Sequence, residues 1–100
     1  MVVHIVMWKL KEQAEGAGRE ENAQKIKTML ENLNGRIPGL LRLEVGIDFS
    51  RTDASADVVL YSEFEDREAL ARYQAHPEHV KVADFITLVR SERRVADYER

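Results

Sequence analysis

Tyr73-Gln74-Ala75-His76-Pro77-Glu78-His79-Val80 gathers two of the chain's three histidines, a tyrosine and one of its two prolines, with three-residue steps from Tyr73 to His76 to His79. A neutral imidazole beside a phenol can remove a proton α to a carbonyl while the hydroxyl holds the developing enolate oxygen. His79 is the candidate base here, and Tyr73 is the candidate donor. The residue before a proline is pushed out of the helical region, and proline itself suits a first helical turn. One helix therefore ends near Ala75 and another begins at Pro77, which leaves His76 at the break and His79 in a first turn. The positive end of the helix macrodipole disfavours imidazolium at that position and helps keep His79 neutral near pH 7.

A second reading of the same residues is structural. In it His79 and Tyr73 bond each other and nearby backbone groups, and His76 caps or packs the helix break. A metal site is a third possibility, since three histidines can supply imidazole ligands. However, no carboxylate is spaced to complete a triad, and Glu78 points elsewhere. No metal and no cofactor are expected.

The elements that must hold these groups can be read along the chain. Val2 to Leu10 is a strand with both faces largely apolar: Val3, Ile5 and Met7 on one, Val2, His4, Val6, Trp8 and Leu10 on the other. Such a strand belongs in the middle of a sheet covered on both sides. Lys11 to Gly18 reads as a polar loop. The stripe Ala23, Ile26, Leu30, Leu33 and Ile37 predicts a helix over Arg19 to Asn34, closed by Gly35. Leu40 to Phe49 and Asp57 to Phe64 read as two antiparallel strands. Asp66 is a helix N-cap, and Val82, Ile86 and Val89 give the helix after Pro77 its inner face. Ser91 to Arg100 reads as a last strand of moderate burial, with Arg90 to Arg94 a solvated run of charges.

The order β-α-β-β-α-α-β is an α+β, ferredoxin-like pattern with a four-stranded antiparallel sheet and a second helix broken in two. Helices cover one face of that sheet. The apolar other face of the first strand then needs a partner, and a second copy packing sheet to sheet around a twofold axis supplies it. On this expectation Val6→Asp turns a homodimer into monomer or aggregate.

Composition limits the rest. One hundred residues make a single domain, residues 1–100, and 44% hydrophobic with 33% charged residues fits a soluble globular chain. The net charge of -3 with scattered basic residues argues against a nucleic-acid partner, and no apolar run is long enough for a membrane span. The chain has no cysteine and Met1-Val2-Val3-His4 is no signal-peptide start, so the cytoplasm is the expected compartment.

The chain resembles the stress-responsive A/B barrel domain family of the dimeric α/β-barrel group. The resemblance runs over nearly the whole length. It rests on His4-Ile5-Val6 with Trp8-Lys9-Leu10-Lys11, on Ile37-Pro38-Gly39 with Val45-Gly46, on Phe64, and above all on Tyr73-x-x-His76-Pro77-x-His79-Val80. It implies a ferredoxin-like fold and a homodimer whose two sheets form a barrel. Many members have no assigned activity, and the main reading is a barrel that binds a small organic ligand. One branch of the family is a plant polyketide cyclase that closes a β-keto chain by an aldol step without a metal. Its pocket residues fall, motif to motif, on Tyr73, His79 and His4, which makes a cofactor-independent cyclase-like lyase the alternative. His76 and Trp8 complete the expected ligand-binding set, and the Trp8 indole, on the His4 face, is placed to fill part of the cavity. Haem-degrading monooxygenases share the barrel, but no haem-ligand motif is recognisable here.

Overall fold

The computed structural model describes every residue from Met1 to Arg100. Its main sheet is built from β1 (Val2–Leu10), β4 (Leu40–Ile47), β5 (Val58–Phe64) and β6 (Arg90–Glu99), in the spatial order β4-β5-β1-β6 and antiparallel throughout. Three helices, α1 (Arg19–Glu31), α2 (Arg67–Ala75) and α3 (Pro77–Val89), complete the ferredoxin-like α+β fold. β1 is central, as its two apolar faces require. No helix is long and apolar enough to cross a membrane.

The segment read as a loop contains a minimal hairpin, β2 (Gln13–Ala14) and β3 (Ala17–Gly18). Glu15 and Gly16 turn it with φ of 50° and 75°, the left-handed pair that a tight two-residue hairpin needs. The buried Asn22 amide on α1 donates to the carbonyls of Ala14 and Ala17 and ties the hairpin to the helix. α1 ends at Glu31, with Asn32 as C-cap, rather than at Asn34. The chain then leaves the helix through successive turns, in which the Leu33 and Arg36 amides bond back to Leu30 and Leu33. Leu33 and Ile37 still reach the core.

Gly39 brings this connection against α2. It has φ of 87°, and a Cβ there would sit 2.5 Å from the Ala69 Cβ. Only glycine allows both the left-handed backbone and this approach. That contact seats the helix that carries Tyr73.

The two faces of β1 are assigned by burial. Val2, Val6, Trp8 and Leu10 belong to the core beneath the helices, together with Ile26, Leu30, Leu60, Phe64, Tyr73 and Ile86. Val6 is 1% exposed, so it lies on the covered face and a charge there attacks the core, not an interface. The expectation that Val6→Asp would report on dimerisation is corrected accordingly. The reverse face carries Val3, which is buried between Glu63 and Tyr98, and then Ile5 and Met7, flanked by Tyr61 and Val59 on β5 and by Ala96 and Arg94 on β6. Met7 is 45% exposed there. Apart from half-buried Arg90, all of β6 is exposed in the single chain, against the moderate burial expected, because it is an edge strand and nothing covers it.

Candidate functional site

Local chemistry places the three motif residues in different roles. Asp66 caps α2, its Oδ1 accepting the Ala69 N–H at 2.8 Å, and Leu70 and Tyr73 then face inward. At the end of α2, His76 takes extended backbone (φ -66°, ψ 133°) ahead of Pro77. Its Nδ1 accepts the Glu78 N–H at 3.1 Å and so caps α3. The His76 ring is used at the break and does not line the cavity described below, which corrects its expected place in the ligand-binding set.

Tyr73 is completely buried, its ring 4.9 Å from Phe64 and 4.2 Å from His79, centroid to centroid. The phenol has no hydrogen-bond partner, and burial pushes its pKa well above the ordinary tyrosine value. His79 and Tyr73 therefore pack against each other at a tilt of 44°, without the hydrogen bond that the structural reading expected. His79 is half-buried, and its Nδ1 lies 3.2 Å from the Gln74 carbonyl oxygen. A carbonyl can only accept, so Nδ1 carries the proton and Nε2 keeps its lone pair when the ring is neutral. Burial lowers the His79 pKa, helped by the charges of His4, Arg93 and His76, and outweighs the bond to Gln74 that favours imidazolium.

His4 is 2% exposed in the middle of β1. The β1–β6 register sets it opposite Asp97, whose Oδ1 bonds its Nδ1. On the other side the Ser62 hydroxyl donates to the His4 carbonyl at 2.9 Å, fixing the backbone. A carboxylate on Nδ1 sets the tautomer, and Nε2 has no protein partner. His4 and His79 thus each have one nitrogen anchored and the other free.

Both rings line one cavity of about 100 Å³ between α3 and the covered sheet face. Val6, Trp8, Leu30, Leu60 and Ile86 form its apolar wall, and Gln74, Thr87, Arg90 and Arg93 add polar groups. Trp8 walls the cavity without closing it. Tyr73 is not among the lining residues; it stands behind His79. No three histidine, aspartate or glutamate side chains come together as a metal-holding group.

Asp97, Arg90 and Arg93 are the site residues that the sequence alone does not single out. Asp97 reaches His4 across a separation of 93 residues, and Arg93 stands opposite Trp8 only through the β1–β6 register. The alternation Arg93, Val95, Asp97 along β6 is the one available signal, and it needs the register to be used.

Known proteins share this architecture. The family model for the Stress responsive A/B Barrel Domain matches residues 2–100. A stress-response A/B barrel domain-containing protein of Arabidopsis thaliana is 34% identical over 85 residues, covering 82% of this chain. The chain spans 30% of that relative's length. A dimeric protein of unknown function and ferredoxin-like fold from Bacteroides fragilis superposes with a TM-score of 0.84 at 29% identity, over 99% of this chain and 95% of that one. A second structure, of an Arabidopsis thaliana protein, gives a TM-score of 0.78 at 27% identity, over 100% and 95% of the two chains.

Proposed function

We propose, from the premise that this chain belongs to the stress-responsive A/B barrel domain family, that it binds a small carbonyl-bearing organic molecule in the cavity between α3 and β1. The observation that carries this reading is the convergence of two singly anchored imidazoles, His4 and His79, on one cavity with an apolar wall. Pockets for drug-sized ligands run to about 300–1,000 Å³, so a cavity of about 100 Å³ suits a ligand of a few heavy atoms. The free Nε2 of each ring accepts an enol or hydroxyl proton from the ligand, and Trp8 supplies a flat apolar surface. The working form is a homodimer in which the uncovered sheet face packs on that of a second copy. The dimeric state of the Bacteroides fragilis protein supports this arrangement.

Acetylacetone serves as a probe. Trp8 is the only tryptophan, so its single indole N–H resonance reports entry into the cavity. Saturable movement of that resonance is expected, together with its loss in Ala83→Phe, which plugs the cavity wall. An unmoved indole signal at saturating probe defeats the proposal.

A cyclase-like lyase is the second reading, favoured by the His79 tautomer. Nε2 removes the α-proton, the C–H electron pair becomes the enolate double bond as the carbonyl π pair moves onto oxygen, and Arg90 or Arg93, which line the same cavity, supplies the donor. Faster exchange of acetylacetone methylene protons with D2O, abolished in His79→Ala, is the expected result. Exchange at the buffer rate in the unmodified protein excludes it.

A further inference from the structure

The charges around the cavity do not match the chain that builds it. The protein carries 18 acidic against 15 basic residues, yet no aspartate or glutamate lines the cavity, whose charged walls are Arg90 and Arg93. Neither guanidinium has a carboxylate within ion-pair distance, whereas Arg19, Arg42, Arg51, Arg67 and Arg100 each have one. Glu92 follows the other face of β6, opposite Lys9, and Asp97, on the same face as Arg93, is occupied by His4.

The bland explanation accounts for only one of the two arginines. Arg90 caps the C-terminus of α3, where the macrodipole favours a cation. Arg93 sits in mid-strand, opposite Trp8 and on the cavity side, and its charge reaches His79. Arg36, Arg72 and Arg94 also lack partners, but they lie away from the cavity. A positive mouth on a low-dielectric cleft concentrates anions, and the planar guanidinium fork matches carboxylate and phosphate oxygens.

We propose that the ligand is a small organic anion, whose carboxylate or phosphate group docks on Arg90 and Arg93 at the mouth while its uncharged end meets Trp8, His4 and His79. This rests on the ligand-binding reading above and adds the chemical class.

The test compares acetoacetate, its neutral methyl ester and inorganic phosphate on the full chain at low salt, read by the Trp8 indole resonance. Acetoacetate is expected to bind at least tenfold more tightly than methyl acetoacetate. Arg93→Gln should bring that ratio close to one, and Arg93→Lys should restore part of it; Arg93 is exposed, so neither change threatens the fold. Tighter acetoacetate assigns a carboxylate ligand and tighter phosphate a phosphate ester; both uphold the anion. Equal binding of acid and ester, or a preference unchanged in both Arg90→Gln and Arg93→Gln, overturns it. Binding of the ester with neither anion bound refutes the anion and spares the ligand-binding reading. Failure of all three probes sinks both.

Discussion

The two faces of β1 carry similar residues to different ends. Val2, Val6, Trp8 and Leu10 are closed over by helices, and the one polar member of that face, His4, is held by Asp97 beside a cavity. Ile5 and Met7 on the reverse lie in an apolar stripe with no layer above it, edged by the Tyr61, Glu63 and Arg100 network and by Arg42 over the Tyr61 ring. The covered face is held by core packing and can carry a chemical site. The open face waits for a second surface. Apolar alternation alone does not say which is which; that takes the side on which the helices cross.

A pair of substitutions one residue apart breaks this comparison most sharply. Val6→Asp places a carboxylate in the buried wall beside Trp8, Leu30 and Leu60, and a loss of about 4 kcal/mol is expected, a large fraction of the stability of a domain of this size. Met7→Asp points into solvent in the single chain. It should leave the circular dichroism spectrum intact and turn a dimer into a monomer on sedimentation. A Val6→Asp protein of unchanged stability, or a Met7→Asp protein that remains dimeric, would contradict the assignment of the faces.

Tyr73→Phe sharpens the covered side. The phenol oxygen is buried without a partner, a condition that costs about 1–3 kcal/mol. Removing it should raise the melting temperature or leave it unchanged, since the Phe64 and His79 ring contacts survive. A stability loss would mean that the hydroxyl has a partner within the folded protein. Stability kept together with lost probe binding or exchange would assign the phenol to the site, despite its place behind the cavity wall.

What is legible in the sequence follows the range of the interactions. The break between α2 and α3 can be read because Pro77 acts on its neighbour, and the Asp66 cap because its acceptor reaches three residues on. The central place of β1 follows from apolar residues on both faces, and the family motif brings His4, Tyr73 and His79 into one region, where ring centroids 4.2 and 6.4 Å apart now describe them. The hairpin at Gln13–Gly18 escapes such a reading because each strand is two residues long, too short for any alternation to register. Asp97 and Arg93 look like members of a solvated charge run because their meaning depends on pairing with β1, at the opposite end of the chain.

The smallest expected effect concerns the imidazole that the two faces do not share. His79 sits in α3, and burial lowers its pKa from an ordinary 6.5. In that case the unfolded chain takes up a proton at higher pH than the folded chain does. Stability therefore rises with pH through the interval between the folded value and 6.5, and is lost progressively as pH falls through it. Above 6.5 the ring is neutral in both states and contributes no slope. Chemical denaturation of the wild type and of His79→Gln, on either side of that interval at about pH 7.5 and about pH 5, separates this contribution. The wild type should lose more stability on acidification than the variant does, because the variant has no ring to protonate. Equal losses would mean that the His79 pocket is open to water at its Nε2, and a base held neutral by burial would no longer be available for chemistry.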